Sequence, residues 1–239
     1  MNVQLFIPCF VDQLFPQTAF NMIKVLEKAG CTVSYNEQQT CCGQPAFNAG
    51  FRNECKEVCT KFMKDFSGAD YVVAPSASCV GFVRNYFPIL FNNSSQLNDV
   101  KNLQSRTFEL SEFLVNVLRV EHFGASLNGW ATYHDSCAGL RECHIKSEPR
   151  RLLANVKGLN IVEMNDVETC CGFGGTFAVK FESISVAMAD QKVNNAMETK
   201  AEYIISTDLS CLMHLQGYMK NKGLKMQTMH LADVLASGW

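Results

Sequence analysis

Cysteines are the residues of this 239-residue chain whose type and spacing suggest chemistry first. Eight of the 12 fall into two sets of four, and each set contains an adjacent pair that is followed by glycine. The sets are Cys9, Cys41, Cys42 and Cys79 in the first half, and Cys137, Cys170, Cys171 and Cys211 in the second. Four cysteine thiolates are the usual ligands of a [4Fe-4S] or [2Fe-2S] iron–sulfur cluster. The sequence therefore predicts two metal centres, each built around a Cys-Cys-Gly segment that we call the CCG turn.

Glycine after each cysteine pair has a physical reason. Neighbouring side chains on a regular strand point to opposite faces, so two adjacent thiols converge on one cluster only if the backbone turns. Glycine permits such a turn, and the N–H groups of a glycine-rich loop offset the negative charge of a thiolate-ligated cluster. We therefore predict cofactor-binding roles for Gly43 in the first turn and for Gly172, Gly174 and Gly175 in the second.

The type of metal is less determined than its ligands. Each module is expected to hold at most one cluster, of the [4Fe-4S] type. Zinc stays an alternative, although structural zinc sites usually use close Cys-x-x-Cys pairs, which neither set contains. The other cysteines have no counterpart in the opposite half and are expected to be ordinary core or surface thiols. They are Cys31, Cys55, Cys59 and Cys143; a second ligand pair at 55 and 59, or a spare ligand at 143, stays open.

Few other side chains near the cysteines suggest a role. His134 and Asp135 precede Cys137 and are the only acid–base candidates, and His134 is also a candidate supporting or replacement ligand. His214 lies three residues after Cys211 and is a second candidate of that kind. Phe173 and Phe177 flank the second turn, where they either exclude water or pack in the core. Serines 76, 78 and 136 are expected to cap helices or to donate hydrogen bonds to sulfur.

The elements that must position these residues repeat along the chain. Strand-like runs at 3–7, 71–75, 131–134, 160–164, 203–207 and 225–229 alternate with helical patterns such as 16–29 and 183–199. This alternation predicts an α/β fold of two tandem similar modules, with mainly parallel sheets flanked by helices and related by a pseudo-two-fold axis. The expected modules are residues 1–124 and 125–239, with an extra polar loop at 91–105. Ligands collect at the carboxyl ends of parallel strands, where the cysteines of both sets fall.

Composition excludes several classes of protein. The formal net charge of −2, without a basic run, argues against nucleic-acid binding. No apolar stretch is long enough to span a membrane, and the N-terminus does not read as a signal peptide. We therefore expect a cytoplasmic protein, in which cysteines serve metal ligation or redox chemistry more often than disulfides.

Several strings resemble a known family. QTCCGQPAFNAG, VVAPSASC, TYHDSCAGLRE, CCGFGGTFAVKF, SISVAMADQKV and DLSCLMHLQG are similar to the cysteine-rich CCG domains of iron–sulfur oxidoreductases. That family includes the CCG-domain chain of heterodisulfide reductase and the iron–sulfur chains of glycolate and glycerol-3-phosphate dehydrogenases, and the strings particularly resemble its lactate-utilization members. The resemblance implies an iron–sulfur electron-transport subunit of an oxidoreductase complex that oxidises L-lactate to pyruvate. It also implies two partners, a ferredoxin-type iron–sulfur subunit and a further small subunit.

One departure from the family pattern bears on the chemistry. In the CCG-domain chain of heterodisulfide reductase, the last cysteine of each module belongs to a Cys-x-x-Cys pair, which supplies a fifth ligand to a noncubane cluster. Here Phe82 and His214 stand where that cysteine is expected. A conventional four-ligand cluster therefore fits better. A thiol-disulfide or heterodisulfide reductase subunit, and a zinc-stabilised interaction module, are the alternatives that remain.

Overall fold

A computed structural model describes residues 1–239 as two sheets, each of four parallel strands. The first sheet has the order β2-β1-β3-β4, and its strands are β1 (Asn2–Leu5), β2 (Thr32–Tyr35), β3 (Tyr71–Ala74) and β4 (Thr107–Glu109). The second has the order β6-β5-β7-β8, with β5 (Ser126–Tyr133), β6 (Lys157–Ile161), β7 (Tyr203–Ser206) and β8 (Gln227–His230). The identical orders confirm the predicted α/β fold of two repeated modules.

Helices flank both sheets. Those of the first module are α1 (Cys9–Leu14), α2 (Pro16–Lys28), α3 (Gln44–Ala49), α4 (Arg52–Asp65), α5 (Ala77–Asn85), α6 (Phe87–Leu90), α7 (Leu97–Ser105) and α8 (Leu110–Glu112), which a π-helical segment (Phe113–Leu118) continues. Those of the second are α9 (Cys137–Arg141), α10 (Ser147–Leu153), α11 (Thr176–Lys180), α12 (Glu182–Glu198), α13 (Leu209–Asn221) and α14 (Leu231–Leu235). None of these helices combines the length and the apolar character that a membrane span needs.

Three details of the structure differ from the sequence-based elements. Strands β2 and β4 were not predicted, because β2 is short and mostly exposed and β4 has only three residues. The strand expected at 160–164 lies three residues earlier, as β6. The segment expected to be a polar loop at 91–105 contains α7, whose Val100 and Leu103 are buried three residues apart on one face.

The two modules pack against each other with pseudo-two-fold symmetry. Helix α2 of the first module contacts α14 of the second, and the equivalent helices α10 and α8 make the reciprocal contact. One continuous buried cluster includes Val3 and Leu5 of β1 together with Ala131 and Tyr133 of β5. A second cluster lies under α4 to α7 of the first module. Because apolar burial is shared across the module boundary, each module stabilises the other.

The strand order explains where the cysteines meet. Between β1 and β3, and between β5 and β7, the chain switches the direction in which it adds strands. In open parallel sheets, a crevice forms at the carboxyl ends of the two strands at such a point. In the first module, Cys9 follows β1, the CCG turn follows β2, and Cys79 lies in the first turn of α5 after β3. The second module repeats this arrangement.

Candidate metal centre

A single cavity between the modules collects both cysteine sets. Its volume is about 330 Å³, and all eight repeated cysteines line it, together with Gly174 and Gly175 of the second CCG turn. Other lining residues come from both modules, among them Phe10, Glu142, Phe173 and Asp208. The structure therefore brings together the eight cysteines that the sequence singled out. We call this cavity the cysteine chamber.

Within the first set, each thiol interacts with the next one along the chain. The neighbouring thiols of Cys42 and Cys9 stabilise the Cys41 thiolate, which lowers the pKa of Cys41 to about 3. The N–H of Gly43 also donates to Cys41 Sγ at 3.4 Å. Interaction with Cys41 raises the pKa of Cys9 and of Cys42, and Cys79 contributes to the rise at Cys42. Four thiols that lie close enough to shift one another's pKa values are suited to bind one metal group as thiolates.

The second set repeats the pattern residue by residue. The thiols of Cys137 and Cys171 lower the pKa of Cys170 to about 2, and the Gly172 N–H donates to Cys170 Sγ at 3.4 Å. A further N–H, that of Phe173, donates to Cys171 Sγ at 3.5 Å. Contact with Cys170 raises the pKa of Cys137 and of Cys171. The second turn thus directs two backbone donors at sulfur, as its richer glycine content suggested.

Glycine is required in both CCG turns for conformation and for space. Gly43 has φ of +96° and Gly172 has φ of +93°, the left-handed region that favours glycine. A Cβ atom on Gly172 would lie 2.6 Å from the Ser185 carbonyl oxygen, and one on Gly43 would lie 3.2 Å from Cys55 Sγ. Each turn is therefore pressed against the helix behind it, which is α4 in the first module and α12 in the second.

The same helices hold the turns by hydrogen bonds. Ser185 Oγ donates to the Gly172 carbonyl at 2.8 Å, and Cys55 Sγ donates to the Gly43 carbonyl at 3.3 Å. Cys59 Sγ, 3.8 Å from Cys55 Sγ, donates to the Cys42 carbonyl at 3.7 Å. Both thiols are buried and neither lines the chamber. The geometry therefore gives Cys55 and Cys59 a supporting position behind the first turn.

His134 is the most unusual polar group near the second set. The side chain is fully buried, and neither ring nitrogen has a hydrogen-bond partner. One ring nitrogen lies within 4.8 Å of the Cys171 and Cys211 sulfurs. Burial lowers the pKa of His134 to about 3, so the imidazole is neutral. Because buried polar groups are normally satisfied, the unpartnered nitrogen that lies near the two sulfurs fits a metal group held by those cysteines.

Asp135 is held in an ion pair. Both of its carboxylate oxygens accept hydrogen bonds of 2.9 Å from Arg150, which also binds Glu163. The Asp135 side chain is only 1% exposed, so the arginine supplies its counter-charge. The Arg150 guanidinium also lies 4.9 Å from the centre of the Tyr133 ring. The pair fixes the segment between β5 and Cys137, and Asp135 does not line the chamber.

One carboxylate connects the two cysteine sets. Asp208 Oδ2 accepts a hydrogen bond of 2.9 Å from the Ser78 N–H of the opposite module, and Oδ1 accepts one of 2.7 Å from Ser210 Oγ. Ser76 and Asp208 occupy equivalent positions in the two modules, three residues before Cys79 and Cys211, and they form an isolated antiparallel bridge. Asp208 was not among the sequence-based candidates, because its contact depends on how the modules meet.

The remaining candidates take supporting positions. Phe173 lines the chamber, whereas Phe177 packs on Phe181 outside it. His214 Nε2 lies 3.2 Å from Ser185 Oγ, so it contacts the residue that holds the second turn. Ser136 caps α9 by accepting from the Gly139 N–H at 3.1 Å. Cys31 is buried in the shared core, and Cys143 Sγ donates to the Ala77 carbonyl of the other module at 3.4 Å.

These observations fit a thiolate-ligated metal group in each module. Four cysteines converge, backbone N–H groups point at sulfur, and a buried imidazole beside the second set lacks any partner. The first turns of α5 and α13, which carry Cys79 and Cys211, add the positive ends of two helix dipoles. The donor set is all sulfur in the first module, which suits an iron–sulfur cluster.

Comparison with known proteins agrees with this geometry. The family model of the cysteine-rich domain, CCG, matches the chain twice, over residues 3–84 and 131–216. The fold and site therefore define a protein with two CCG cysteine-rich domains. Lactate utilization protein A of Geobacillus thermodenitrificans is 44% identical over 235 residues, with 98% of each chain covered. The relative of the same name from Halalkalibacterium halodurans is also 44% identical, over 98% of this chain and 96% of its own. The chain belongs to the lactate utilization protein A family.

A solved structure shares the fold at low identity. A hypothetical protein from Helicobacter pylori superimposes with a TM-score of 0.64 at 12% identity, over all of this chain and 49% of that chain. At this identity the likeness concerns the fold alone.

Proposed function

We propose that this chain is an iron–sulfur electron-transfer subunit of a multi-protein system that oxidises L-lactate to pyruvate. The relatives' name supplies the link to lactate utilization. The observation that carries the electron-transfer role is the cysteine chamber, in which two sets of four thiols open onto one cavity. When bound, an iron–sulfur cluster in each set supplies one-electron redox chemistry. The proposed ligands are the eight repeated cysteines, and the proposed modules are residues 1–124 and 125–239.

The number of sites suits the reaction. Oxidation of a 2-hydroxy acid to a 2-oxo acid removes two electrons and two protons from the substrate. Two one-electron sites on one chain accept that pair without releasing a radical to solvent. Because both sets line the same cavity, electrons that reach one set lie close to the other.

The lining of the chamber supports placing lactate on another subunit. Its charged residues are Glu142 and Asp208, and no lysine or arginine lines it. Proteins commonly recognise a carboxylate through the paired N–H groups of arginine or through lysine. An anion would meet two carboxylates and the thiolates here. We therefore propose that the chain accepts electrons from a partner that binds lactate, with the ferredoxin-type and small subunits as the proposed partners.

Disulfide reduction fits the same residues less well. The positions at which a fifth cysteine would be expected hold Phe82 and His214. Neither residue carries a thiol. Phe82 is buried and stacks with Tyr86, and His214 contacts Ser185, so both have packing roles instead. His134, Cys171 and Cys211 lie close enough to hold zinc, so zinc content must be measured together with iron.

Anaerobically purified chain should be mixed with L-lactate, with and without the two partner subunits, while the visible absorption of its iron–sulfur clusters is followed. We expect bleaching only when the partners are present, because they hold the lactate site. Bleaching by lactate alone would place the substrate site on this chain. Stoichiometric zinc without iron or sulfide, or no bleaching in the complete mixture, would contradict the proposed function.

A further inference from the structure

The helices behind the two CCG turns match position by position. Cys55 of α4 and Ser185 of α12 each donate to the carbonyl of the glycine in their turn, which aligns the two helices. With that alignment, their buried positions coincide: residues 55, 59, 62, 63 and 66 match residues 185, 189, 192, 193 and 196. Phe62 of the first module therefore occupies the place of Lys192 in the second.

The ends of the central strands match in the same way. The Phe6 N–H donates to the Val73 carbonyl at 2.9 Å, and the His134 N–H donates to the Ile205 carbonyl at 2.8 Å. Phe6 thus occupies the place of His134. In the first module, the rings of Phe6 and Phe62 pack edge to face with centroids 4.7 Å apart. The second module has an imidazole and an ammonium group at those two positions.

Lys192 is a buried cation that forms no ion pair. Its side chain is fully buried, and Nζ donates to two carbonyl oxygens, those of Asp166 at 2.6 Å and Val167 at 3.1 Å. Burial lowers the pKa of Lys192, and the group that most opposes this lowering is Cys171. An ammonium group removed from water costs several kcal/mol unless a negative charge compensates it. Asp135 and Asp166 also act on it, but Asp135 is already paired with Arg150, so the ligand cysteines of the second set supply the larger part of its counter-charge.

We propose that Lys192, in the place that Phe62 takes beside Phe6 in the first module, is an electrostatic positioning residue that raises the reduction potential of the second site above that of the first. This inference rests on the proposed function. A site that gains an electron gains negative charge, and a nearby buried cation stabilises that state. Phe6 and Phe62 offer no such stabilisation to the first site. Electrons that enter the chamber therefore settle in the second module.

The test is a redox titration of the anaerobically loaded full chain, followed by electron paramagnetic resonance. The wave that disappears in Cys171→Ala belongs to the second site. We expect Lys192→Met to lower the equilibrium constant for reduction of that site about tenfold. This change moves the wave to lower potential by about 59 mV for one electron. Lys192→Arg keeps the charge, so its second wave should stay close to the wild-type potential. Lys24→Met, which removes an exposed charge from α2, should move neither wave.

Thermal unfolding supplies a readout that a purely structural lysine would not move. Loading with clusters should raise the melting temperature of the wild type more than that of Lys192→Met. The reason is that the ligated thiolates compensate the charge of Lys192, which the empty protein leaves partly uncompensated. Equal gains, or a second wave that stays in place in Lys192→Met, would overturn the inference. If that variant does not fold, Lys192→Gln removes the charge but keeps a donor for the Asp166 and Val167 carbonyls, and the same wave must move in the same direction. A wild-type chain that takes up no iron would instead refute the proposed function itself.

Discussion

The Asp208 carboxylate accepts a hydrogen bond of 2.9 Å from the backbone N–H of Ser78, which belongs to the other module. Ser78 precedes Cys79, and Ser210, the second partner of Asp208, precedes Cys211. A single buried side chain therefore fixes the residue next to one proposed ligand in each set. The two cysteine sets are coupled through this contact as well as through the cavity that they share.

Replacing Asp208 should weaken both sites at once. Asp208→Ala removes a hydrogen bond from an N–H and one from a hydroxyl, and bonds to a charged group are worth about 1.5–3 kcal/mol each. We expect the free energy of unfolding of the metal-free protein to fall by about 3–6 kcal/mol, as measured by urea denaturation. Iron content should drop in both modules. Asp99→Ala, at an exposed position of α7, is the control and should cost less than about 1 kcal/mol. Unchanged stability in Asp208→Ala would show that the contact is dispensable.

The glycine of the second CCG turn can be tested against a neighbouring glycine that also has a positive φ. Gly172 and Gly175 both have positive φ, but a Cβ would meet the Ser185 carbonyl oxygen at Gly172 and open space at Gly175. Gly175→Ala should therefore cost only the strain of a backbone conformation (φ +62°, ψ −109°) that residues with a Cβ rarely adopt, about 1–3 kcal/mol. Gly172→Ala adds a clash with backbone, so we expect a larger loss of unfolding free energy and a loss of iron from the second module. Equal losses would mean that the close approach of α12 to the turn is unimportant.

The buried ion pair at the end of β5 predicts unequal effects at two adjacent arginines. Arg150→Ala leaves the Asp135 carboxylate buried without a counter-charge, which should cost about 3–5 kcal/mol. Arg151 pairs with Glu121 at a more exposed site, and exposed pairs contribute about 0–1 kcal/mol. Arg151→Ala therefore serves as the matched control. Denaturation of both variants at neutral pH checks the difference, and similar losses would contradict a stabilising role for the Arg150–Asp135 pair.

Glu109 predicts how stability depends on pH. Burial raises the pKa of this carboxyl to about 8 in the folded protein. The folded state thus binds a proton that the unfolded state has released, so its stabilising effect is complete below about pH 4.5 and is lost as the pH rises to about 8. Each pKa unit corresponds to about 1.36 kcal/mol, so wild-type stability should fall by up to about 3 kcal/mol between about pH 5.5 and 7.5 relative to Glu109→Gln.

The glutamine keeps a carbonyl oxygen for the hydrogen bonds that Glu109 accepts from Ser111 and Glu112. Glu27→Gln, at an exposed position of α2, is the control and should follow the wild-type pH profile. A Glu109→Gln profile parallel to that of the wild type would indicate that the carboxyl is ionised in the folded state.

The sequence predicted the repeat, the parallel α/β modules and the eight cysteines at strand ends, because hydrophobic periodicity and fixed spacing are local signals. Strand β4 was missed because its three residues carry too short a pattern, and α7 because its Asn- and Ser-rich surface hides two buried positions. The contact of Asp208 with Ser78 depends on how the modules dock, which no local pattern encodes. Lys192 could have been found, since it interrupts the apolar face formed by Ala189, Val193 and Ala196.

The proposed electron-transfer role depends most directly on each cysteine set holding its own cluster. The decisive measurement is the iron and acid-labile sulfide content of anaerobically purified wild type, Cys42→Ala, Cys171→Ala and the double variant, with folding checked by circular dichroism. We predict one four-iron cluster per intact set: two in the wild type, one in each single variant and none in the double variant. Iron content that is unchanged in either single variant, or wild-type protein that carries stoichiometric zinc and no sulfide, would contradict that role.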